Sequence, residues 1–295
     1  MLALAEIPVK RRTFLAAVAA AQAASSRLPV AKGVYFRMLP RRQDPIAAFH
    51  LAKEAGFDAV ECPTAASEAE AHQMLRAAKA AGIRIHSVLN QTNWQYPLSS
   101  GDARVAEQGI RGLELSLQQA QLWGADTVLV VPAVVDASTG YREALERSQR
   151  NLRRLLPLAE KLQVTLAIEN VWNKFLLSPL EFASYVDSFR SPWVRAYFDV
   201  GNVLLFGFPQ DWIRVLGRRI VKLHLKDFSF RNNVAEWKAL GEGEVDWTAV
   251  YRALVEIGFR GVATCELPGG ELDYLREVSR RMDQILQGSL AKRGV

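Results

Sequence analysis

From Lys32 onward the chain alternates between two hydrophobic patterns. Short apolar runs rich in β-branched and aromatic residues appear as GVYF, AVECP, RIHSVL, TVLVVP, TLAIEN, RAYFDV, VKLHLKD and GVATCEL. Longer stretches of mixed polarity separate them, near 45–55, 68–81, 102–123, 141–162, 179–188, 209–217, 247–257 and 271–287. The first kind reads as buried strand and the second as amphipathic helix. Glycine sits where several helices should close, in AGFDAV, AAGIRI, LWGADTV and EIGFRG, because it accepts the left-handed conformation that ends a helix. Strict alternation implies parallel strands joined by right-handed crossovers. Eight units predict an α/β fold with a single closed (β/α)₈ TIM barrel.

At 295 residues and 49% hydrophobic composition, the chain can bury one barrel-sized core. No linker or internal repeat divides it, so the barrel is assigned to 32–288, with a C-terminal tail at 289–295. The start differs in character. Lys10-Arg11-Arg12-Thr13-Phe14-Leu15 leads into an apolar stretch that ends near Ala24 and is too short to span a bilayer, with Ala21-Gln22-Ala23 as a small-residue cleavage site. This resembles a twin-arginine export signal over 1–24, followed by a short linker at 25–31. It implies a periplasmic or secreted protein with no stable membrane insertion after cleavage; a basic start to a cytoplasmic protein is the alternative. The formal net charge of +6 is spread over helix faces, as at Arg147, Arg150, Arg153 and Arg154, without the aromatic interleaving of a nucleic-acid surface. Cys62 and Cys265 form no metal-binding spacing, and an oxidising compartment permits a disulfide without indicating one.

The chemistry concentrates in the second half. Glu169 in TLAIEN, Asp199 in AYFDVGN, His224 in VKLHLKD and Glu266 in ATCEL stand near the C-terminal ends of strands five to eight. A barrel gathers those ends at one mouth. A doubly wound open sheet would not bring four successive strand ends to one centre. Three hard oxygen donors with one imidazole suit a divalent ion in a roughly octahedral site with open positions. An isolated acid or histidine inside an apolar strand would be costly to bury without a partner.

The ordered set IEN, FDVGN, KLHLKD and CEL, with GEGEVDW between the last two strands, resembles the sugar phosphate isomerase/epimerase family, whose members have the xylose isomerase-like barrel. The resemblance covers about 32–288. It implies that Glu169, Asp199, His224 and Glu266 bind one divalent metal, Mn²⁺ first, with Mg²⁺, Co²⁺ or Zn²⁺ as alternatives. It also implies that Glu169 and Glu266 are the catalytic acid and base. The reaction so implied is isomerisation or epimerisation of a small carbohydrate by proton removal next to a carbonyl. A metal-dependent lyase or dehydratase acting on a keto-sugar or 3-keto-glycoside shares that first step, and a non-catalytic sugar-binding barrel is a further alternative. A multi-zinc nuclease on a related barrel would need more than the four histidines present, His50, His72, His86 and His224. The chain departs from ketose 3-epimerases in one place: their strand-six aspartate is followed three residues later by histidine, where this chain has Asn202. An amide can hydrogen-bond a hydroxyl but cannot shuttle protons. Some phosphopentulose epimerases have the Asp-x-Gly-Asn form seen here.

Candidate substrate-binding residues surround this set. Lys226 lies two residues after His224 and should point to the same inner side, to hold a substrate oxygen or to pair with Asp227 or another barrel acid. His86 and Asn90 belong to strand three and its exit, and His86 could equally be a hydrogen-bonded core residue. Trp94 and Tyr96 in the following loop, and Trp172 and Asn173 after strand five, are candidate walls for a sugar face. An unphosphorylated sugar is expected, because an exported protein would seldom meet sugar phosphates and the acids of Gly241-Glu242-Gly243-Glu244 would repel one. Homo-oligomer formation is compatible with the sequence.

Overall fold

The eight apolar runs pair with one another in a ring, since a parallel strand buried on both faces is satisfied only by neighbours on each side. The computed structural model describes residues 27–40, 44–232 and 234–290; the twin-arginine segment therefore lies outside the described residues. The elements are β1 (Val30–Tyr35), α1 (Pro45–Glu54), β2 (Ala59–Pro63), α2 (Glu68–Ala81), β3 (Arg84–Leu89), α3 (Ala103–Trp123), β4 (Thr127–Val130), α4 (Tyr141–Leu162) and β5 (Thr165–Glu169). The chain continues through α5 (Pro179–Asp187), β6 (Val194–Asp199), α6 (Pro209–Leu216), β7 (Ile220–Leu225), β8 (Asp227–Arg231), β9 (Val234–Lys238), α7 (Trp247–Glu256), β10 (Gly261–Cys265) and α8 (Leu272–Leu286). Strand order around the closed barrel is β1-β10-β7-β6-β5-β4-β3-β2, and every barrel pair is parallel. The eightfold TIM barrel expected from the alternation is the observed fold.

Helix boundaries follow local chemistry. Asp44, Ser67, Asp102, Ser178 and Asp246 accept hydrogen bonds from backbone N–H groups in the first turns of α1, α2, α3, α5 and α7. Gly56, Gly82, Gly124 and Gly258 all adopt positive φ, as their helix-closing positions demand. β1 begins at Val30, ahead of Lys32, because Val30 already pairs with Gly261 of β10. Cys62 and Cys265 are buried free thiols. Among the described residues no helix is long and apolar enough to cross a membrane.

Three local features position the site. The register between β2 and β3 passes from Val60–Ile85 to Glu61–Ser87, so His86 has no partner on β2. Such a bulge re-aims side chains. Gly33 of β1 faces this place: a Cβ there would lie 2.6 Å from Thr264 Oγ1 and 2.9 Å from His86 Nε2. The third feature is a β8–β9 antiparallel hairpin inserted between β7 and α7, absent from the eight units read in the sequence. Its base is tied down by Asp227, whose buried carboxylate accepts from Gly241 N at 2.9 Å, Val245 N at 3.2 Å, Phe228 N at 3.1 Å and Trp247 Nε1 at 2.9 Å.

All four donors rely on this one carboxylate for the bonds described. Asp227→Ala should therefore destabilise the fold by roughly 2–4 kcal/mol. Urea denaturation followed by both tryptophan fluorescence and far-UV circular dichroism measures this, and a loss below about 0.5 kcal/mol would show that water serves the donors instead.

Candidate active site and metal centre

Four adjacent strands, β5, β6, β7 and β10, end at one side of the barrel mouth. Their last inward positions, or the residue just beyond, carry Glu169, Asp199, His224 and Glu266. One ligand atom from each lies within 4.8 Å of the others. Asp199 and His224 are register partners across β6 and β7. His224 Nδ1 is 2.7 Å from Glu169 Oε1, 3.0 Å from Glu266 Oε2 and 3.7 Å from Asp199 Oδ2. All four side chains are buried except Glu266, which is 24% exposed and so presents an edge to the cavity.

Burial of three carboxylates in one place is tolerable only with positive charge between them. His224 supplies part of it and Lys226 the rest, with its ammonium 2.8 Å from Asp199 Oδ2 and 2.7 Å from Glu266 Oε2. Lys226 thus pairs with the acids of the cluster, while Asp227 turns the other way toward its backbone donors. These contacts split the titrations. Burial pushes Glu169 up to about 7, against His224 and Lys226, which pull it down. Burial also raises Asp199, again opposed by Lys226. For Glu266 burial is outweighed by Lys226 and His224, which hold it well below the usual carboxylate range. His224 loses by burial but is raised well above an ordinary imidazole by Glu61, Tyr197, Glu266 and Glu169. Lys226 is likewise disfavoured by burial but raised by Asp199, Glu266 and Glu169.

The donor set fits a divalent ion: three carboxylates and an imidazole converge, and Asp199 Oδ2 is fully buried without an aligned hydrogen-bond donor, despite the nearby ammonium. Glu169, Asp199, His224 and Glu266 would hold it.

The cluster opens into a cavity of about 540 Å³. Of the residues expected to contact substrate, Asn90, Trp94, Trp172, Asn202 and Lys226 line it. Asn202 is largely committed, its backbone N–H donating to Asp199 Oδ1 at 2.8 Å and its Nδ2 to Asn170 O at 3.0 Å. His86, Tyr96 and Asn173 are not among the lining residues. His86 lies below, buried beside Thr264 Oγ1 at 2.9 Å, and burial with nearby Lys222 and Arg84 keeps its pKa well below normal. It stands three residues before the end of β3, below Leu89 and Asn90, which do line the cavity. Asn173 ties its loop to the segment after β4, donating to Ala133 O at 2.7 Å, and the Tyr96 carbonyl packs against Gly109 of α3.

Sequence reasoning missed several members. Phe228 and Trp237 of the hairpin join Trp172 in an aromatic wall, with Trp172–Phe228 and Phe228–Trp237 centroids 5.1 and 4.6 Å apart. Tyr35 and Arg37 line the opposite side, and the Arg37 guanidinium donates to Gln91. Behind the imidazole stands Glu61 of β2, fully buried, with Oε1 3.0 Å from His224 Nε2. The one signal for it was an acid inside the otherwise apolar AVECP.

A family model described as xylose isomerase-like TIM barrel matches residues 49–285, and the chain belongs to that family. The L-ribulose-5-phosphate 3-epimerase of Escherichia coli O1:K1 is 25% identical over 283 residues, covering 92% of this chain and 98% of that protein. Among solved structures, a D-tagatose 3-epimerase-like protein superposes with a TM-score of 0.77 at 19% identity, over 88% of this chain and 98% of the other. The 3-keto-D-glucoside 4-epimerase of E. coli gives 0.74 at 14% identity, over 87% and 98%.

A metal enters on neutral imidazole, and the surrounding carboxylates favour the protonated ring of His224, so loading should release a proton. Affinity should then climb with pH, about tenfold per unit below the His224 pKa. Calorimetry of Mn²⁺ binding in buffers of differing ionisation enthalpy should show one site per chain with proton release, and His224→Ala or Asp199→Asn should weaken binding at least ~100-fold. Binding without proton release would remove His224 from the ligand set.

Proposed function

We propose that this member of the xylose isomerase-like TIM barrel family is a metal-dependent sugar epimerase, an enzyme of the isomerase/epimerase type, acting next to the carbonyl of an unphosphorylated sugar or keto-sugar. The observation that carries the reading is the placement of two carboxylates. Glu169 on β5 and Glu266 after β10 stand at the two ends of an arc of four neighbouring strands, with Asp199 and His224 between them, and both face the cavity.

A carbon acid next to a carbonyl is weak, and a divalent ion, Mn²⁺ in our proposal, would supply Lewis-acid charge beside the carbonyl oxygen when bound. The protein groups do the rest. One glutamate takes the proton from one face of the substrate and the other returns a proton to the opposite face, which inverts the stereocentre. Their unequal surroundings favour a division of labour, since groups whose titrations are pushed apart serve as separate acid and base. Lys226, held by Asp199 and Glu266 at the edge of the cavity, adds a fixed positive charge to the same site. Trp94, Trp172, Phe228 and Trp237 offer apolar faces that exclude water and suit the C–H side of a sugar ring.

The cavity wall argues for an uncharged substrate. A phosphate dianion is best held by several free cationic or N–H donors. Of the two cations lining this cavity, Lys226 is paired with two acids and Arg37 is bonded to Gln91. Export through the N-terminal segment, which we also propose, agrees with that substrate class. The similarity to an L-ribulose-5-phosphate 3-epimerase favours a second reading, a phosphorylated ketose, and one experiment separates the two.

Mn²⁺-reconstituted protein incubated in D₂O with free ketoses, 3-keto-glycosides and L-ribulose 5-phosphate should place deuterium next to the carbonyl of an unphosphorylated compound, read by NMR after quenching and removal of the ion. Glu169→Gln or Glu266→Gln should lower that exchange roughly 10²–10⁴-fold. Exchange confined to the sugar phosphate would overturn the substrate class. A product lacking a leaving group would make the enzyme a lyase, and ligand binding without exchange would reduce it to a binding barrel.

A further inference from the structure

The His224 imidazole has two nitrogens, and the structure gives them different company. Nδ1 faces the carboxylates of Glu169 and Glu266 at 2.7 and 3.0 Å. Nε2 points away from them, to Glu61 Oε1 at 3.0 Å. Glu61 is on β2, across the barrel from β7, and lies outside the cavity lining. It therefore cannot touch a substrate held there, and any effect it has passes through His224. We propose that Glu61 is a positioning residue that fixes the tautomer and ring orientation of His224, so that Nδ1 is the nitrogen offered to a divalent ion. The inference rests on the reading of Glu169, Asp199, His224 and Glu266 as a metal site.

Glu61 Oε2 already accepts from two hydroxyls and Oε1 lies 3.0 Å from Nε2, so the geometry places the N–H of a neutral imidazole at Nε2, donating to Oε1. That leaves the Nδ1 lone pair directed at the other three ligands. Without Glu61 the balance reverses, because the carboxylates that remain beside the ring, Glu169, Glu266 and Asp199, all face Nδ1 and would draw the proton to it, the atom a metal needs bare. A carboxylate behind a metal-bound histidine commonly has this role.

The carboxylate is itself held firmly. Glu61 Oε2 accepts from Ser87 Oγ at 2.7 Å and from the Tyr197 hydroxyl. Tyr197 also packs on the imidazole it serves, with ring centroids 4.5 Å apart at 50°. Its hydroxyl lies 3.3 Å from Thr264 Oγ1, so the network continues to β10. Ser87 owes its place opposite Glu61 to the register shift that skips His86. Three strands besides β7 thus cooperate to set one ring: β2 gives the acceptor, while β3 and β6 fix it. None of these contacts would be required to fill an apolar barrel centre, where leucine or valine would pack without buried charge.

The test uses the full chain with ¹⁵N-labelled histidine. Mn²⁺ affinity is measured by the electron paramagnetic resonance of free ion, and the state of the ring by ¹⁵N NMR with diamagnetic Zn²⁺. In the unaltered protein His224 should coordinate through Nδ1 and retain a proton on Nε2. Glu61→Ala should weaken Mn²⁺ binding about 10–100-fold and lose the protected Nε2–H signal. Glu61→Gln, whose amide oxygen can still accept from Nε2–H, should fall between the two. Tyr197→Phe keeps the carboxylate, removes one of its two hydroxyl donors and should cost a few-fold in affinity, which preserves the test if Glu61→Ala does not fold. Folded Glu61→Ala with unchanged affinity and an unchanged Nδ1 signature would overturn the proposal, as would coordination through Nε2 in the unaltered protein. Failure of the unaltered protein to bind either ion would instead overturn the metal reading, and this inference with it.

Discussion

Negative charge gathered on the axis of a closed barrel is the constraint on which the rest of the structure depends. Glu61, Glu169 and Asp199 are almost wholly buried, Glu266 lies beside them, and His224 and Lys226 are the cations in contact with the group. An arrangement with more acids than bases in low dielectric is a poor way to stabilise a fold. It is a good way to bind a doubly charged cation, because each carboxylate kept close to its neighbours by the strands gains when the ion arrives. The strand ends supply the rigidity this requires. Neighbouring register pairs, Glu169 with Tyr197 and Asp199 with His224, fix the spacing before any ion is present.

The same constraint explains which parts of the molecule were legible in the sequence. The barrel followed from eightfold alternation, and Gly56, Gly82, Gly124 and Gly258 marked helix ends because few other residues accept their positive φ. Glu169, Asp199, His224 and Glu266 were visible because each interrupts an apolar run at the point where it must end. Glu61 interrupts an apolar run as well, but in the first half of the chain and without a neighbouring histidine, and its partner His224 is 163 residues away. Pairings of that range come from barrel closure, not from local pattern. His86 was ambiguous for a different reason. Alternation assigns a side chain to one face only while the register holds, and the shift between Val60 and Glu61 breaks it at that residue.

The hairpin of β8 and β9 was missed because its sequence, Asp227-Phe228-Ser229-Phe230-Arg231 and then Val234 to Lys238, carries too little apolar character to resemble the barrel strands around it. Its burial is partial and its outer face stays in water. Asp227 reads in sequence as a partner for Lys226, yet the chain turns between them, so that Lys226 reaches Asp199 and Glu266 while Asp227 anchors the loop from Gly241 to Trp247.

Floor and rim of the cavity are therefore built by different means. The floor rests on β5, β6, β7 and the residue after β10 and is largely buried. The rim comes from the loop after β3, the loop after β5 and the inserted hairpin, where Trp94 is 57% and Trp237 49% exposed. Large aromatic faces left open to water at the mouth of a charged pocket gain most from a ligand with both a polar and an apolar side, as a sugar ring has. The rim residues belong to loops and the hairpin, outside the barrel pairing, whereas the floor residues sit on the barrel strands or directly after them. Asn202 shows the boundary between the two: it faces the cavity, but its backbone N–H and one side-chain N–H are spent on Asp199 and Asn170. Its amide oxygen and second amide N–H carry no charge and do not titrate, so at this position the side chain can offer hydrogen bonds but cannot shuttle a proton.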